Sequence, residues 1–400
     1  MSAIVTGNNN TEDLADSIPA KPSCLAIAGI RFDFNDGARV QVPESFGEVT
    51  CRFFDLEEGQ IVGRIKVAPG AMVATNKKYF VRHRIEIFSG DEAIFTHDYD
   101  AKGKDVLIRI APGTIGDAIA WFPAAVEFQK RHACNLFVTM DERMAELFSG
   151  QYPDVHFISR AEANNKLFYA TYRIGIVWDD KDNNYHPFDF RLAGLQEHAF
   201  NILQIPFEDT KPKLDLSAER KIKEKYVCIS AQATAYCKTW NNPTGWIETI
   251  DFLKENGYRV LCIDRDRVYG KPSLCTYMPI GAEDFTGNLP LQDRINLLKD
   301  ADFFIGLPSG LSWLAWACNI PVVMIGGFSL PYSEFNTPYR VINYNACHGC
   351  WNDYQCKFDG FQYDFCPRLR GTAREFECNR LISSIKVINT IKQIIEKEGN

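Results

Sequence analysis

The stretch "DVLIRIAPGTIGDAIAWFPAAVEFQKRHACNLFVTM", residues 105–140, decides the fold class. It begins with an apolar run suited to a buried parallel strand. A glycine-containing loop then leads into apolar residues at helical spacing, and a second apolar run ends the stretch. A strand, a helix and a further strand in this order form a βαβ unit. The stretch therefore predicts an α/β fold with a parallel sheet.

The same alternation continues along the chain and is interrupted once. "VHFIS" and "RIGIVW" follow as further strands, and "FEDTKPKLDLSAERKIKE", residues 207–224, is a polar linker. The alternation restarts at "KYVCISA" and ends at "PVVMIGG". Two such series predict two Rossmann-like domains facing across a cleft, with ligands at the C-terminal ends of the strands. We place these domains at residues 101–215 and 216–345.

The region before the first Rossmann-like domain has a different pattern of residues. Residues 23–100 contain short runs of β-branched and aromatic residues separated by Asp-Gly and Glu-Gly turns, which predicts a small all-β domain. Residues 1–22 form a polar tail without a basic segment followed by an apolar one. No apolar run approaches the ~20 residues of a membrane helix. We therefore expect no secretion signal and no membrane span, and a cytoplasmic location.

Composition excludes two classes of protein. The 400 residues are 46% hydrophobic and 13% aromatic, which rules out a disordered chain. The formal net charge of −7 argues against sequence-independent binding of nucleic acid, because such binding needs a basic face.

Cysteine is concentrated near the C-terminus. Residues 347–378, "CHGCWNDYQCKFDGFQYDFCPRLRGTAREFEC", hold five of the thirteen cysteines. An odd total in a reducing compartment does not suit a disulfide framework. A C-x2-C pair followed by two more cysteines in a loop-like segment is typical of a tetrahedral thiolate site, with zinc as the default ion and unrelated free thiols as the alternative. We expect a metal finger at 346–378 and an amphipathic helix at 379–400.

Two loops at predicted strand ends carry charged residues. Asp117 opens the helix after "IAPGTIG", where its carboxylate either stabilises the first turn or serves as a general base. Lys238, in "SAQATAYCKTW", is either a solvated surface lysine or a cation that meets a diphosphate.

A third loop, "IGLPSGLSWLAW", opens another helix. Ser309, Gly310, Leu311 and Ser312 form its first turn, whose free amides can bind an anion and whose glycine permits close approach of the backbone. An ordinary serine N-cap is the alternative.

Together the three loops resemble the heptosyltransferases of the GT-B fold. The shared motifs are the G-x-x-G-D loop, K-x-W, and the S-G-L-S-x-L-A turn before P-V-V-M-I-G. The β-rich extension and the spacing of Cys347, Cys350, Cys366 and Cys378 more particularly resemble the bacterial autotransporter heptosyltransferases. The resemblance spans residues 24–400.

The resemblance implies a role for each matching residue. Asp117 would be the catalytic base, and Thr114 a contact to donor or acceptor. Lys238 would bind the donor diphosphate and assist its departure. The turn beside Ser309 would cradle ADP through the backbone of Gly310, Leu311 and Ser312.

The resemblance also implies the reaction and the partners. Heptose would pass from ADP-glycero-manno-heptose to serine hydroxyls of an autotransporter adhesin passenger domain, with inversion. The four matching cysteines would hold one structural iron ion, with Cys356 outside the site. The chain would form a large homo-oligomer.

One departure bears on the acceptor. Pro308 and Trp313 stand where lipopolysaccharide heptosyltransferases tend to carry aspartate and histidine, which disfavours a lipopolysaccharide acceptor. Two alternatives stay open: a lipopolysaccharide core heptosyltransferase, and a non-catalytic nucleotide-sugar-binding scaffold with a metal finger.

Overall fold

The protein is described by a computed structural model that covers residues 18–356 and 363–398. Its chain contacts divide it into two compact units. The first comprises residues up to 113 together with 121–190 and 196–208. The second comprises 114–120, 191–195 and the chain from 209 onward. The predicted tail at 1–22 lies outside the described residues except for its last five.

The first unit is rich in strands. Its strands are β1 (Cys24–Leu25), β2 (Arg31–Asn35), β3 (Arg39–Gln41), β4 (Val49–Asp55), β5 (Gln60–Val67), β6 (Met72–Ala74), β7 (His83–Ser89), β8 (Glu92–Asp98), β9 (Asp105–Ile110), β10 (Asn135–Thr139), β11 (Val155–Phe157) and β12 (Ala170–Ile174). Its helices are α1 (Ile115–His132), whose first turns belong to the second unit, α2 (Glu142–Ser149), α3 (Arg160–Asn164) and α4 (Leu195–Ile202).

The larger sheet of the first unit joins two predicted domains. Its order is β11-β10-β9-β12-β2-β3-β6, with β1 paired to β2. Strands β9 to β12 and β2 are parallel neighbours, whereas β3 and β6 are antiparallel. The prediction of a separate domain at 23–100 was therefore incomplete, since β2, β3 and β6 extend the Rossmann-like sheet. Phe32 and Phe34 of β2 are both buried, and pairing on both edges of the strand supports this burial.

The remaining strands of residues 23–100 form a sheet of their own. Its order is β5-β4-β7-β8, and every pair is antiparallel. Burial alternates strictly along β4, with Val49, Cys51, Phe53 and Asp55 on the buried face. The predicted period-two pattern is confirmed here, because one face of the sheet packs inward and the other does not.

The second unit contains the second Rossmann-like series. Its strands are β13 (Tyr226–Ile229), β14 (Arg259–Cys262), β15 (Val268–Lys271), β16 (Leu274–Tyr277), β17 (Glu283–Asp284), β18 (Phe304–Gly306), β19 (Val322–Ile325) and β20 (Arg340–Val341). Its helices are α5 (Gly245–Glu255), α6 (Leu291–Leu298), α7 (Gly310–Ala317), α8 (Glu377–Arg380) and α9 (Ser384–Glu398).

Six of these strands form one parallel sheet in the order β17-β14-β13-β18-β19-β20. Strands β15 and β16 form a separate hairpin. The Lys238 loop follows β13 and the Ser309 turn follows β18, and these two strands are neighbours. Both loops therefore lie at the same carboxyl edge of the sheet, where open α/β folds bind ligands.

The C-terminal helix begins later than the sequence predicts. Residues 377–380 form the short α8, and α9 starts only at Ser384. The carbonyl of Ile382 accepts hydrogen bonds from the side chains of Trp240 and Asn242, which holds this stretch outside a continuous helix. Val387, Ile391 and Ile394 then pack α9 into the core beside α5.

Among the described residues, no helix has both the length and the apolar character needed to cross a membrane.

Candidate functional site

Asp117 lies in the first turn of α1, within the second unit. The backbone N–H and the hydroxyl of Thr114 both donate to its Oδ2, at 2.7 Å and 2.9 Å. The backbone contact is one half of a capping box. The carboxylate of Asp117 therefore stabilises the first turn of α1, as one of the two interpretations of the sequence expected. The remaining oxygen, Oδ1, accepts no hydrogen bond among the residues that the structure describes.

The surroundings of Asp117 also change the pKa of its carboxyl group. Burial raises the pKa of the carboxyl above its ordinary value, while the two hydrogen bonds from Thr114 and the positive charge of Lys238 act in the opposite direction. A carboxylate with a raised pKa is a stronger base than a solvated one. The geometry is therefore compatible with both functions, helix capping through Oδ2 and proton acceptance through Oδ1.

Two glycines bring the Asp117 loop against the N-terminus of α7. A Cβ on Gly116 would lie 2.9 Å from Trp313 Cδ1, and a Cβ on Gly310 would lie 3.1 Å from the Gly116 nitrogen. The φ of Gly116 is not positive, so its backbone conformation does not require glycine. Because Gly116 has no side chain, the two loops can approach closely. Any larger residue at this position would separate them.

Lys238 ends a short 3-10 turn, Tyr236–Lys238. Its side chain is half-buried, and within residues 18–356 and 363–398 its ammonium has neither an ion pair nor a hydrogen bond. Its charge nevertheless acts on Asp117. A half-buried lysine whose ammonium has no ion pair among the described residues is suited to a ligand that carries negative charge.

The loop that leads to Lys238 is braced by Asp264, which the sequence analysis did not single out. Asp264 is buried and accepts from Ser230 Oγ at 2.6 Å and from the Ala231 nitrogen at 2.9 Å. The signal was an aspartate directly after the strand "VLCI". Arg294 in turn donates to the Asp264 carbonyl at 3.0 Å.

Some hydrogen-bond donors of the turn at Ser309 bond to nearby carbonyls, and others have no acceptor among the described residues. Ser312 is fully buried, its hydroxyl donates to the Leu307 carbonyl at 2.5 Å, and its amide donates to the Ser309 carbonyl at 3.2 Å. By contrast, Ser309 Oγ is buried and has no hydrogen-bond partner among the residues that the structure describes. The amides of Gly310 and Leu311 have no acceptor within the described part of the chain. The ligand-binding capacity of this turn therefore lies at residues 309–311.

The predicted metal ligands lie within electrostatic reach of one another. Burial and the neighbouring Cys347 raise the pKa of Cys350, and Cys356 and Cys378 add to the effect. Burial raises the pKa of Cys378 to about 12, with further contributions from Cys237, Cys366 and Cys347. Cys237, beside Lys238, is a neighbour that the sequence analysis missed, because it lies more than a hundred residues away.

These thiols do not form a closed metal site. Among the described residues, no three His, Cys, Asp or Glu side chains are arranged so that they could hold a metal ion. A four-thiolate set is chemically suited to iron or zinc. Cys356 has a partner of its own, since its thiol donates to Asp353 Oδ2 at 3.3 Å.

The residue that follows the last cysteine of the finger, a buried asparagine, holds the Lys238 loop. Asn379, fully buried, donates to the Cys237 carbonyl at 2.6 Å and accepts from the Gly327 nitrogen at 2.7 Å. The Tyr236 nitrogen also donates to the Tyr363 carbonyl at 2.8 Å. The residues around the cysteines therefore fix the position of the Lys238 loop, which the sequence analysis did not anticipate.

Comparison with family models agrees with this architecture. Residues 27–91 match the model of the glycosyltransferase TibC N-terminal domain. Residues 187–357 match the model of glycosyltransferase family 9 (heptosyltransferase). The fold and the site thus define a glycosyltransferase of the heptosyltransferase class.

Whole-chain relatives narrow the class. The chain is 47% identical over 386 residues to the autotransporter heptosyltransferase TibC of Escherichia coli O78:H11, which covers 95% of this chain and 94% of that protein. It is 38% identical over 389 residues to the inactive autotransporter heptosyltransferase BimC of Burkholderia thailandensis, which covers 97% of this chain and 91% of that protein. The chain belongs to the autotransporter heptosyltransferase family.

Solved structures support the same assignment. The dodecameric iron-containing heptosyltransferase TibC in complex with ADP-D-β-D-heptose superposes with a TM-score of 0.91 at 46% identity, over 95% of this chain and 99% of that one. A family 9 glycosyl transferase from Veillonella parvula matches with a TM-score of 0.54 at 11% identity, over 75% of this chain and 99% of that one. The second likeness shows the fold alone, which is GT-B-like.

Proposed function

We propose that this heptosyltransferase transfers heptose from ADP-heptose to serine hydroxyls of an autotransporter adhesin passenger domain, with inversion at the anomeric carbon. One observation carries the catalytic part of the proposal. The Asp117 carboxylate is held by Thr114, lies within the field of Lys238 and is packed against the N-terminus of α7 through Gly116 and Gly310.

Each residue has a step in the proposed reaction. The serine oxygen attacks the anomeric carbon while its proton passes to Asp117, and the bond between that carbon and the phosphate oxygen breaks. ADP leaves with the electron pair. Lys238 and the free amides at Gly310 and Leu311 stabilise the negative charge that develops on the leaving phosphate.

The choice of a protein acceptor rests on residues and on relatives. Trp313, which stands where lipopolysaccharide heptosyltransferases tend to carry histidine, is 3% exposed and packs against Trp316 and Phe335. Two relatives of 47% identity are named autotransporter heptosyltransferases. A second candidate, a non-catalytic nucleotide-sugar binder, is favoured by the relative that is named inactive.

We also propose that the chain binds one structural iron ion through Cys347, Cys350, Cys366 and Cys378 and assembles into a homo-oligomer. The four-thiolate set suits iron, and its members influence one another's acidity. A relative of 46% identity is described as iron-containing and dodecameric. When bound, the ion would hold together a segment that has few regular elements, and no chemical step is assigned to it.

Intact-mass analysis tests the transfer directly. A purified passenger domain incubated with the enzyme and ADP-heptose should gain whole heptose masses, and ADP should appear in equal amount. Passenger variants with serine replaced by alanine should lose the corresponding mass additions. Binding of ADP-heptose without any mass gain or ADP release would instead identify the non-catalytic binder. Transfer only to truncated lipopolysaccharide core would identify the alternative acceptor.

Lys238→Ala should weaken the binding of ADP-heptose and slow transfer. A charge-assisted contact to the diphosphate contributes roughly 1.5 to 3 kcal/mol, so the donor Kd should rise about tenfold to a hundredfold. Isothermal titration with ADP measures the binding part. Lys223→Ala, which removes an exposed lysine in the linker, is the matched control and should bind ADP normally. Equal ADP affinity in both variants would make Lys238 a surface cation.

A further inference from the structure

The two hydrogen bonds that hold Asp117 come from one residue and end on one oxygen. Thr114 donates its backbone N–H and its hydroxyl to Oδ2, at 2.7 Å and 2.9 Å, whereas Oδ1 accepts no hydrogen bond from the described residues. Two donors in fixed positions define the plane of the carboxyl group and therefore the direction in which Oδ1 points. Thr114 thus distinguishes the two oxygens of a group that is otherwise symmetric.

The backbone that carries these two donors is itself held in place. The Thr114 carbonyl accepts from the Ala118 nitrogen at 3.3 Å, within the first turn of α1. The next residue, Ile115, packs against the N-terminus of α7, where a Cβ on Gly310 would lie 3.0 Å from the Ile115 Cβ. The donors are therefore in position before any substrate binds, as preorganised groups of an active site are.

The same arrangement occurs a second time in the chain, at a place without a proposed function. Ser159 precedes α3 and donates its backbone N–H and its hydroxyl to Oε2 of Glu162, both at 2.8 Å. The hydroxyl also accepts from the Glu162 nitrogen at 3.2 Å, which completes a capping box. Helix capping alone explains the arrangement at Ser159, which therefore serves as an internal standard for Thr114.

The two carboxyl groups differ in their surroundings. Glu162 is exposed, and the two hydrogen bonds from Ser159 lower its pKa. Asp117 is packed among protein atoms, and burial raises its pKa although Thr114 donates the same two hydrogen bonds and Lys238 adds a positive charge. The bonds from Thr114 therefore oppose a rise in pKa that would leave less of the carboxyl ionised at neutral pH.

A direct contact between Thr114 and a substrate is the alternative, which the family resemblance implies. The side chain of Thr114 is exposed and Asp117 retains part of its exposed surface, so a substrate can reach both. A hydroxyl has one proton to donate, and that of Thr114 is already given to Asp117. A direct contact would therefore need a ligand that donates to Thr114.

We infer that Thr114 is a positioning residue for the proposed base: its two hydrogen bonds orient the Asp117 carboxylate so that Oδ1 receives the proton of the acceptor hydroxyl. The inference rests on the proposed function, since Asp117 must be the base. The backbone N–H of Thr114 is retained in every substitution except proline. The hydroxyl is therefore the part of this device that a substitution can remove.

Thr114→Val removes the hydroxyl and keeps both the branched shape and the backbone N–H. One hydrogen bond to the charged carboxylate is lost, so the pKa of Asp117 should rise. The pH at which transfer reaches half its plateau should rise with it, by about one pH unit. At neutral pH, kcat should fall about tenfold while the KM for ADP-heptose is unchanged. Thr114→Ser retains the hydroxyl and should behave like the wild type in both respects.

Ser159→Ala is the matched control, because it removes the hydroxyl of the other capping arrangement. It should lower the Tm about as much as Thr114→Val and leave the pH profile of transfer unchanged. An unchanged pH profile in Thr114→Val, with the same loss of Tm, would show that Thr114 only caps α1 and would overturn the inference. A rise in KM without a shift of the profile would assign Thr114 to a direct substrate contact and overturn it as well.

A double variant tests whether Thr114 acts through Asp117. Thr114→Val should cause no further loss of transfer in the Asp117→Asn enzyme, because the carboxylate that Thr114 orients is gone. A further tenfold loss in the double variant would show a separate role for Thr114 and contradict the inference.

A measurement without transfer separates this inference from the proposed function. Infrared difference spectra over a pH titration, with Asp117→Asn as the reference, report the protonation of the Asp117 carboxyl. Its pKa should be higher in Thr114→Val than in the wild type or in Thr114→Ser. Equal pKa values in all three refute the inference even if transfer is confirmed. A higher pKa in Thr114→Val together with normal transfer by Asp117→Asn would refute the proposed base, and the inference with it, and would identify Asp117 as the wrong assignment.

Discussion

Asp117→Asn should reduce heptose transfer by about two orders of magnitude or more while ADP binding stays close to that of the wild type. A serine hydroxyl is a weak nucleophile at neutral pH, and a positioned base contributes roughly a hundredfold to ten-thousandfold to the rate. Asparagine keeps the shape of the side chain and an oxygen that can accept from Thr114, but it cannot take the proton. Rates of ADP release at saturating donor and acceptor measure the loss.

A matched control separates catalysis from helix capping. Asp141 caps α2, where its side chain accepts from the Arg143 nitrogen at 3.1 Å. Asp141→Asn should therefore resemble Asp117→Asn in its effect on stability and leave transfer unchanged. Near-normal transfer by the Asp117→Asn enzyme would assign Asp117 to capping alone.

The pH dependence provides a second measurement on the same residue. Asp117 accepts a proton only when it is ionised, so transfer should rise with pH through its titration and level off above it. Because burial raises the pKa of Asp117, this rise should occur at higher pH than for a solvated aspartate. The dependence should be absent from the residual activity of the asparagine variant.

Serine in place of Cys347, Cys350, Cys366 or Cys378 should abolish metal binding. Elemental analysis of the wild-type protein should find close to one iron per chain, and each of the four variants should lose it. A hydroxyl is hard and normally protonated, so it does not replace a thiolate as a ligand for this type of site. The variants should also assemble less well, as size-exclusion chromatography with light scattering would show.

The cysteine variants should also affect the binding of ADP. Asn379 follows Cys378 and holds the Cys237 carbonyl, one residue from Lys238. Loosening the finger should therefore displace the Lys238 loop and raise the Kd for ADP along with the loss of metal. Unchanged ADP affinity in a metal-free variant would show that the loop does not depend on the ion.

Two cysteines outside the proposed set serve as controls. Cys356→Ser should keep the metal, because this thiol donates to Asp353. Cys237→Ser should also keep it, although Cys237 lies within electrostatic reach of Cys350 and Cys366. Metal that survives the loss of Cys378 but not of Cys237 or Cys356 would mean that the four ligands were chosen wrongly. A metal-free chain that is folded, assembled and fully active would refute the structural role of the ion.

The sequence by itself was sufficient for features that depend on local patterns. Alternating apolar strands and amphipathic helices predicted the α/β class, because periodicity reports directly which face of an element is buried. The three loops could be placed at strand ends because a loop between a strand and a helix is visible in the pattern. Their likeness to one family then selected Asp117, Lys238 and the Ser309 turn as the site.

Only the tertiary structure decided what depends on contacts between distant residues. The strand β2 pairs with β12 across more than a hundred residues, so the sequence could not show that β2, β3 and β6 belong to the Rossmann-like sheet. Gly116 and Gly310 can lie close together because neither has a side chain. No local sequence pattern predicts this contact. Hydrogen bonds and charge pairs depend on which residues the fold brings together. They therefore cannot be predicted from local sequence patterns.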